Sequence, residues 1–309
     1  MSTRSVHPVV LTRRRWLQCA AAAGAAMAIS PVAAPGWRGG GPAPHRYRIA
    51  ACDWMMLKRQ KLGAIKLAAE CGLDGVEVDL GGLGDRETFD NKLLSDESVR
   101  AQFLAAAAEH HIEIPSLAMS AFYAQSFAER PTVQRMVDES LQTMQLMKIK
   151  TVFLPLGVRS DLVARPELRP AVVERLKSAG AKAEAAGVVI GIETALDAAG
   201  DVALLDEIGS PGVKIYFNFA NALQNGRDVS TELRVLGSDR ICQIHCTDQD
   251  GVLLENNTRL KLPEVRKTLD EMGWSGWLVI ERSRDAGKAR DVRYNFSANA
   301  RYLKSVFQS

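Results

Sequence analysis

The chain has 309 residues, 47% of them apolar, which suits one α/β barrel of about 250 residues behind an N-terminal segment. Its formal charge of +3 is a property of the leader. Residues 1–36 carry four arginines and no acidic side chain, so the remainder holds 35 basic against 36 acidic groups, a net of −1, which gives a phosphate backbone no basic field; no nucleic-acid partner is expected.

The N-terminus reads Thr12-Arg13-Arg14-Arg15-Trp16-Leu17-Gln18, a twin-arginine-type pattern, then an Ala-rich apolar run to Ile29 closed by Pro31, Pro35 and Gly36. That run is short and weak for a membrane span. Residues 1–36 are therefore expected to be a signal peptide read by the twin-arginine export machinery, and the protein to be periplasmic. Residues 37–47, with the stretch RGGGPAP, read as a flexible linker. The cysteines left beyond the leader, Cys52, Cys71, Cys242 and Cys246, form no CxxC pair, and no disulfide framework is expected.

From residue 48 to residue 309 the pattern alternates eight times. Strands are expected at 48–53, 75–80, 113–119, 151–156, 188–194, 213–219, 240–248 and 276–283. Helices are expected at 57–71, 96–111, 132–147, 170–186, 201–208, 229–236, 262–272 and 289–307. The strands carry runs of Val and Ile, as when both faces are covered. Asp96 is placed to cap its helix and Pro170 to sit in a first turn. Gly72, Gly187 and Gly273 stand where left-handed C-caps are wanted. Eight βα units without a GxGxxG loop predict a single-domain (β/α)8 TIM barrel rather than an open doubly wound sheet. The longer connections at 81–91 and 249–261 fall after strands two and seven, on the rim where such barrels carry their sites, and are candidate lids.

Four consecutive strand ends carry a polar group: Glu193, Asn218, His245 and Glu281. Polar groups after apolar runs are costly in a core unless something binds them, and a parallel barrel brings such ends to one rim. Alternation sets Glu193 in phase with Gly191, Asn218 with Tyr216, His245 with Gln243 and Glu281 with Val279, on the inward faces. Oxygen and imidazole donors without a thiolate suit one divalent ion, Mn²⁺, Mg²⁺, Co²⁺ or Zn²⁺. Trp54, Phe122 and Tyr123 follow strands one and three, where aromatic faces stack on sugars or simply pack the rim; Glu77 and Asp79 share a face of strand two, placed to orient substrate hydroxyls or to pair with a basic neighbour. Asp248 is a candidate contact for substrate or for the second nitrogen of His245, or else one half of a loop salt bridge.

The segments GLDGVEVDL (72–80), VVIGIET (188–194), VKIYFNFANA (213–222), RICQIHCTD (240–248) and GWSGWLVIE (273–281) resemble the xylose isomerase-like TIM barrels, the sugar phosphate isomerase/epimerase group, across residues 48–308. The resemblance implies a metal on Glu193, Asn218, His245 and Glu281, proton exchange with substrate by Glu193 and Glu281, and a polar contact at Asn221. Two departures stand out. Asn218 occupies a position that is usually Asp, so the ligand set has two anionic members instead of three. The H-x-K-D pattern reads His245-Cys246-Thr247-Asp248, without its lysine. The leading expectation is a metal-dependent isomerase or epimerase of a small carbohydrate or polyol, abstracting a proton beside a carbonyl through a metal-stabilised enediolate. The alternatives are a lyase or dehydratase acting on a keto-sugar or 3-keto-glycoside, and a sugar-binding barrel without turnover. A repair nuclease would need more histidines than His45, His110, His111 and His245.

Overall fold

The structure is a computed structural model that describes residues 45–309; the expected signal peptide and most of the expected linker lie outside the described residues. Eight parallel strands close into a barrel in sequence order. They are β1 (Tyr47–Cys52), β2 (Gly75–Asp79), β3 (Leu117–Ala118), β4 (Thr151–Pro155), β5 (Val189–Glu193), β6 (Val213–Asn218), β7 (Ile241–His245) and β8 (Gly276–Ile280). This is the predicted (β/α)8 architecture, with β8 hydrogen-bonded to β1.

Local chemistry accounts for most element ends. Asp96 accepts the N–H of Val99 at 3.1 Å and opens the helix Glu97–Glu109, and Pro170 lies in the first turn of the helix Arg169–Ala185. Gly72, Gly187 and Gly273 have φ of +74°, +64° and +71° after their helices. Two expectations need correction. The strand expected at 113–119 shrinks to Leu117–Ala118, because Pro115 has no N–H to give and interrupts the ladder, although Glu113 and Ser116 still accept from Val76 and Val78. The helix expected at 57–71 is shortened to Gly63–Glu70, and a separate short helix, Asp53–Met56, precedes it. Between them Gln60 adopts φ +53°, with its N–H held by the buried Asp53 carboxylate at 2.8 Å.

Apolar side chains fill two spaces. The larger core lies between sheet and helices. A smaller one inside the barrel is formed by Ala50, Cys52, Ala118, Phe153, Tyr216 and Val279, with Trp277 packed against it. Trp277 also lies under the Arg48 guanidinium, 4.0 Å from the ring centre.

One buried carboxyl outside the barrel interior gives a pH test. Asp201, in the helix Ala198–Ile208, is only 4% exposed and accepts the Thr194 hydroxyl at 2.6 Å. Burial pushes its carboxyl up to about 7, against the pull of the Thr194 hydrogen bond. A raised pKa means that its stabilising contribution is whole below the unfolded value near 4 and is lost as pH rises through 7. Asp201→Asn keeps an acceptor for Thr194 and removes the titration. Urea unfolding is expected to show the variant gaining on the wild type by on the order of 4 kcal/mol between pH 4 and pH 8. A difference that stays constant with pH would contradict the assignment.

Candidate active site

The strand registers set the site. Asn218 on β6 pairs with His245 on β7, His245 pairs with Val279 two residues before Glu281, and Pro155 pairs with Glu193. The four polar strand ends therefore come level at the carboxyl end of the barrel, and all four are buried. His245 Nδ1 lies 3.1 Å from Glu193 Oε2. Asn218 Nδ2 donates to that same oxygen at 3.0 Å and to Glu281 Oε2 at 3.3 Å.

A second donor joins the same two carboxylates. The Tyr123 hydroxyl lies 3.3 Å from Glu193 Oε1 and 3.1 Å from Glu281 Oε1. Tyr123 comes from the 3-10 turn Ser120–Tyr123 after β3. That turn seats closely because residue 157, after β4, is glycine: a Cβ there would stand 2.7 Å from Tyr123 Cα.

Under the site lies a polar floor. His245 Nε2 lies 3.1 Å from Glu77 Oε1, and Glu77 Oε2 accepts Ser116 Oγ at 2.6 Å and the Tyr216 hydroxyl at 2.8 Å. The Cys52 thiol sits 3.6 Å from both Glu77 Oε1 and His245 Nε2. The imidazole packs against the rings of Phe153 and Tyr216, with centroids at 4.7 and 4.5 Å. Burial by itself would lower the His245 pKa; its hydrogen bonds to Glu193 and Glu77 outweigh that and push it up to about 10. Both ring nitrogens of His245 thus lie within hydrogen-bond reach of a carboxylate. Burial pushes Glu281 up as well, opposed by His245 and reinforced by Glu193. The Tyr123 and Cys52 groups are raised by burial first, so they stay protonated donors.

The predicted site residues divide. Glu193, Asn218, His245 and Glu281 meet. Trp54 is half-buried and stacked on Phe153 at 6.3 Å. Glu77 is corrected as a substrate contact: it is wholly buried beneath His245 and serves as the partner of Nε2, the role considered for Asp248. Phe122 is also corrected, since it packs edge-on against Phe89 and Phe127 in the outer core, and its neighbour Tyr123 faces the carboxylates. Asp248 is held by Arg259 at 2.6 and 3.0 Å and by Asn257 at 2.9 Å, so it ties down the connection 249–261 instead of facing a substrate. Asn221 donates to the carbonyl of Thr194 at 3.0 Å and braces the end of β5. Asp79, in phase with Glu77, is paired with Arg59 at 3.1 Å. Cys52 and Ser116 escaped sequence reasoning because a thiol and a hydroxyl among apolar strand residues give no periodic signal.

With this geometry in view, comparison with known proteins places the chain. The model of the xylose isomerase-like TIM barrel family matches residues 65–306. The chain belongs to that family. A relative, 2-epi-5-epi-valiolone 7-phosphate 2-epimerase of Actinoplanes sp., is 30% identical over 207 residues, covering 65% of this chain and 72% of the relative. A D-psicose 3-epimerase solved in the presence of D-fructose superposes with TM-score 0.67 at 14% identity, over 85% of this chain and all of the other. A 3-keto-D-glucoside 4-epimerase from E. coli does so with TM-score 0.66 at 15% identity, over 84% of this chain and 99% of the other. At those identities the two structures speak for the fold. This xylose isomerase-like barrel is a sugar isomerase/epimerase-like enzyme.

A divalent ion is what the family resemblance implies, and Asn218 tests whether the residues fit one. Position 218 has two duties: to accept the N–H of Ala220, which opens the helix Phe219–Gln224, and to face the centre of the cluster. A carboxylate has an oxygen for each; a primary amide has a single oxygen, here turned to Ala220, and an NH₂. Asn218 Oδ1 takes Ala220 N at 2.9 Å, and Nδ2 is what faces the carboxylates. The expected four-ligand set is corrected accordingly: its fourth member presents a donor, and the set does not fit a cation. A separate trio, Cys52, Glu77 and His245, offers three potential ligand atoms within 4.8 Å, but these are already hydrogen-bonded to one another in the barrel interior.

Proposed function

We propose that this barrel moves a proton at the carbon next to a carbonyl of a small carbohydrate or polyol, and so epimerises or isomerises it, with Glu193 and Glu281 as the acid/base pair. The observation that carries the reading is the convergence of these two buried carboxylates on shared donors at the carboxyl rim of the barrel. Proton return on the opposite face or at the adjacent carbon needs two such groups in different states. Burial favours the protonated form of Glu281, while Glu193 lies against the His245 ring, so the two environments differ. One carboxylate takes the substrate proton as the other delivers one. Tyr123 and Asn218 supply neutral N–H and O–H donors beside them, the kind of group that stabilises charge developing on a substrate oxygen.

The name of the Actinoplanes relative supports a cyclic polyol-like substrate. A rim cavity of about 410 Å³ lies beside Trp54 and is lined also by Lys58, Arg59, Lys61, Lys92 and Asp90. We also propose export to the periplasm on the strength of the leader, which favours free sugars, keto-sugars and glycosides.

The test is incubation of the full chain in D₂O with ketoses, inososes and 3-keto-glycosides, each free and phosphorylated, read by NMR. Deuterium beside the carbonyl together with a new epimer or isomer is expected for at least one compound. Release of an aglycone in place of an epimer would assign elimination instead. Binding without exchange across the panel would leave a carrier and overturn the proposal.

A further inference from the structure

We infer that Asn218 replaces the divalent cation in this barrel: its amide NH₂ bridges Glu193 and Glu281, and the strand-end cluster does not hold a metal ion.

The argument starts from the backbone. Ala220 N–H lies at the first turn of Phe219–Gln224 and is satisfied by Asn218 Oδ1 at 2.9 Å. That acceptor is required whether or not an ion is near. The other end of the amide lies 3.0 Å from Glu193 Oε2 and 3.3 Å from Glu281 Oε2. Turning the amide over would set an NH₂ against the Ala220 N–H and a carbonyl against two carboxylate oxygens, so both ends would repel. A cation in the centre would relieve the second conflict and leave the first. Asn218 is buried, so water is poorly placed to replace the lost cap.

Both Oε2 atoms of the pair already have a donor, and the two Oε1 atoms share the single proton of one hydroxyl. Glu193 Oε2 receives Asn218, and also faces the His245 ring; Glu281 Oε2 receives Asn218 too. The Oε1 atoms of both face the Tyr123 hydroxyl. Two neutral bridges thus hold together two acidic groups that a metal would otherwise hold. A metal-binding version of the cluster needs one atom changed, the Asn218 nitrogen to oxygen, which adds both the missing acceptor and a third negative charge.

Asn218→Asp makes that change. Chelator-treated wild-type protein, titrated calorimetrically with Mn²⁺, is expected to show no saturable site below about 1 mM, whereas the variant is expected to take up one equivalent at least ~100-fold more tightly. Mn²⁺ is correspondingly expected to raise the melting temperature of the variant and not of the wild type. Stoichiometric Mn²⁺ binding by the wild type within about tenfold of the variant overturns the inference. So does a folded variant, judged by circular dichroism, that binds no better than wild type. Should the variant fail to fold, the wild-type titration decides alone: a saturable micromolar site overturns the inference and its absence supports it. Binding is read here and turnover is not, so failure of this inference and failure of the proton-transfer proposal are separate results.

Discussion

Glutamine at position 281 is expected to cut the rate of solvent deuterium incorporation into substrate by a factor of about 10³ or more, and glutamine at position 193 to do the same. Glutamine keeps the shape of each side chain and still offers an oxygen to Tyr123, whose hydroxyl lies 3.1 Å from Glu281 and 3.3 Å from Glu193. It cannot exchange a proton with a carbon acid. The glutamine NH₂ then stands where Asn218 Nδ2 would donate, 3.0 Å away at position 193 and 3.3 Å at position 281, which costs some stability, so the rate is read only on variants that stay folded. The two losses are not expected to add, because either carboxylate alone is half of a relay. Asp248→Asn is a suitable control: it weakens the pairing with Arg259 that ties down residues 249–261, yet leaves the carboxylate pair intact. The measurement is the NMR exchange assay beside a thermal melt. Either glutamine variant that stays folded and retains more than about a tenth of wild-type exchange would remove that carboxylate from the chemistry.

Gly212→Ala is expected to destabilise the protein by about 3 kcal/mol or more. A Cβ at this position would stand 2.3 Å from the carbonyl oxygen of Gly180 and 2.8 Å from the nitrogen of Glu184, both backbone atoms of the helix Arg169–Ala185. No side-chain rotation relieves such a contact. The backbone cannot retreat freely either, because the carbonyl of Gly212 accepts Ile190 N at 2.9 Å and anchors the start of β6 to β5. The helix faces the same point with a glycine of its own, where a Cβ at Gly180 would stand 2.7 Å from Ser210 Oγ. Gly82→Ala, at a position with open space around it, is expected to change stability by less than about 1 kcal/mol. Urea unfolding of the two variants checks the contrast; equal effects would mean that the helix slides easily over the sheet.

These expectations rest on two kinds of knowledge. The eightfold alternation, the glycine caps and the polar strand ends were readable in the chain, because each depends on spacing along it. The same holds for the inward phase of Glu193, Asn218, His245 and Glu281, which strand alternation fixes once the strands are found. The shortened β3 was also open to sequence reasoning, since Pro115 lies in the middle of the expected strand. Phe122 and Tyr123 illustrate the opposite case. Adjacent residues in a 3-10 turn project in different directions, and only the seating of that turn against Gly157 sends the tyrosine to the carboxylates and the phenylalanine into the outer core.

The sequence by itself determined the barrel, its rim and the four residues that meet there, because β-strand periodicity and a parallel closed sheet leave little freedom in where strand ends go. Only the tertiary structure decided what those residues do to one another. Whether Asn218 faces the cluster with oxygen or nitrogen depends on the Ala220 N–H competing for its single oxygen. Whether Glu77 meets substrate or supports His245 depends on a partner 168 positions away. Hydrogen-bond donors and acceptors are matched in space, by groups that no local pattern brings together.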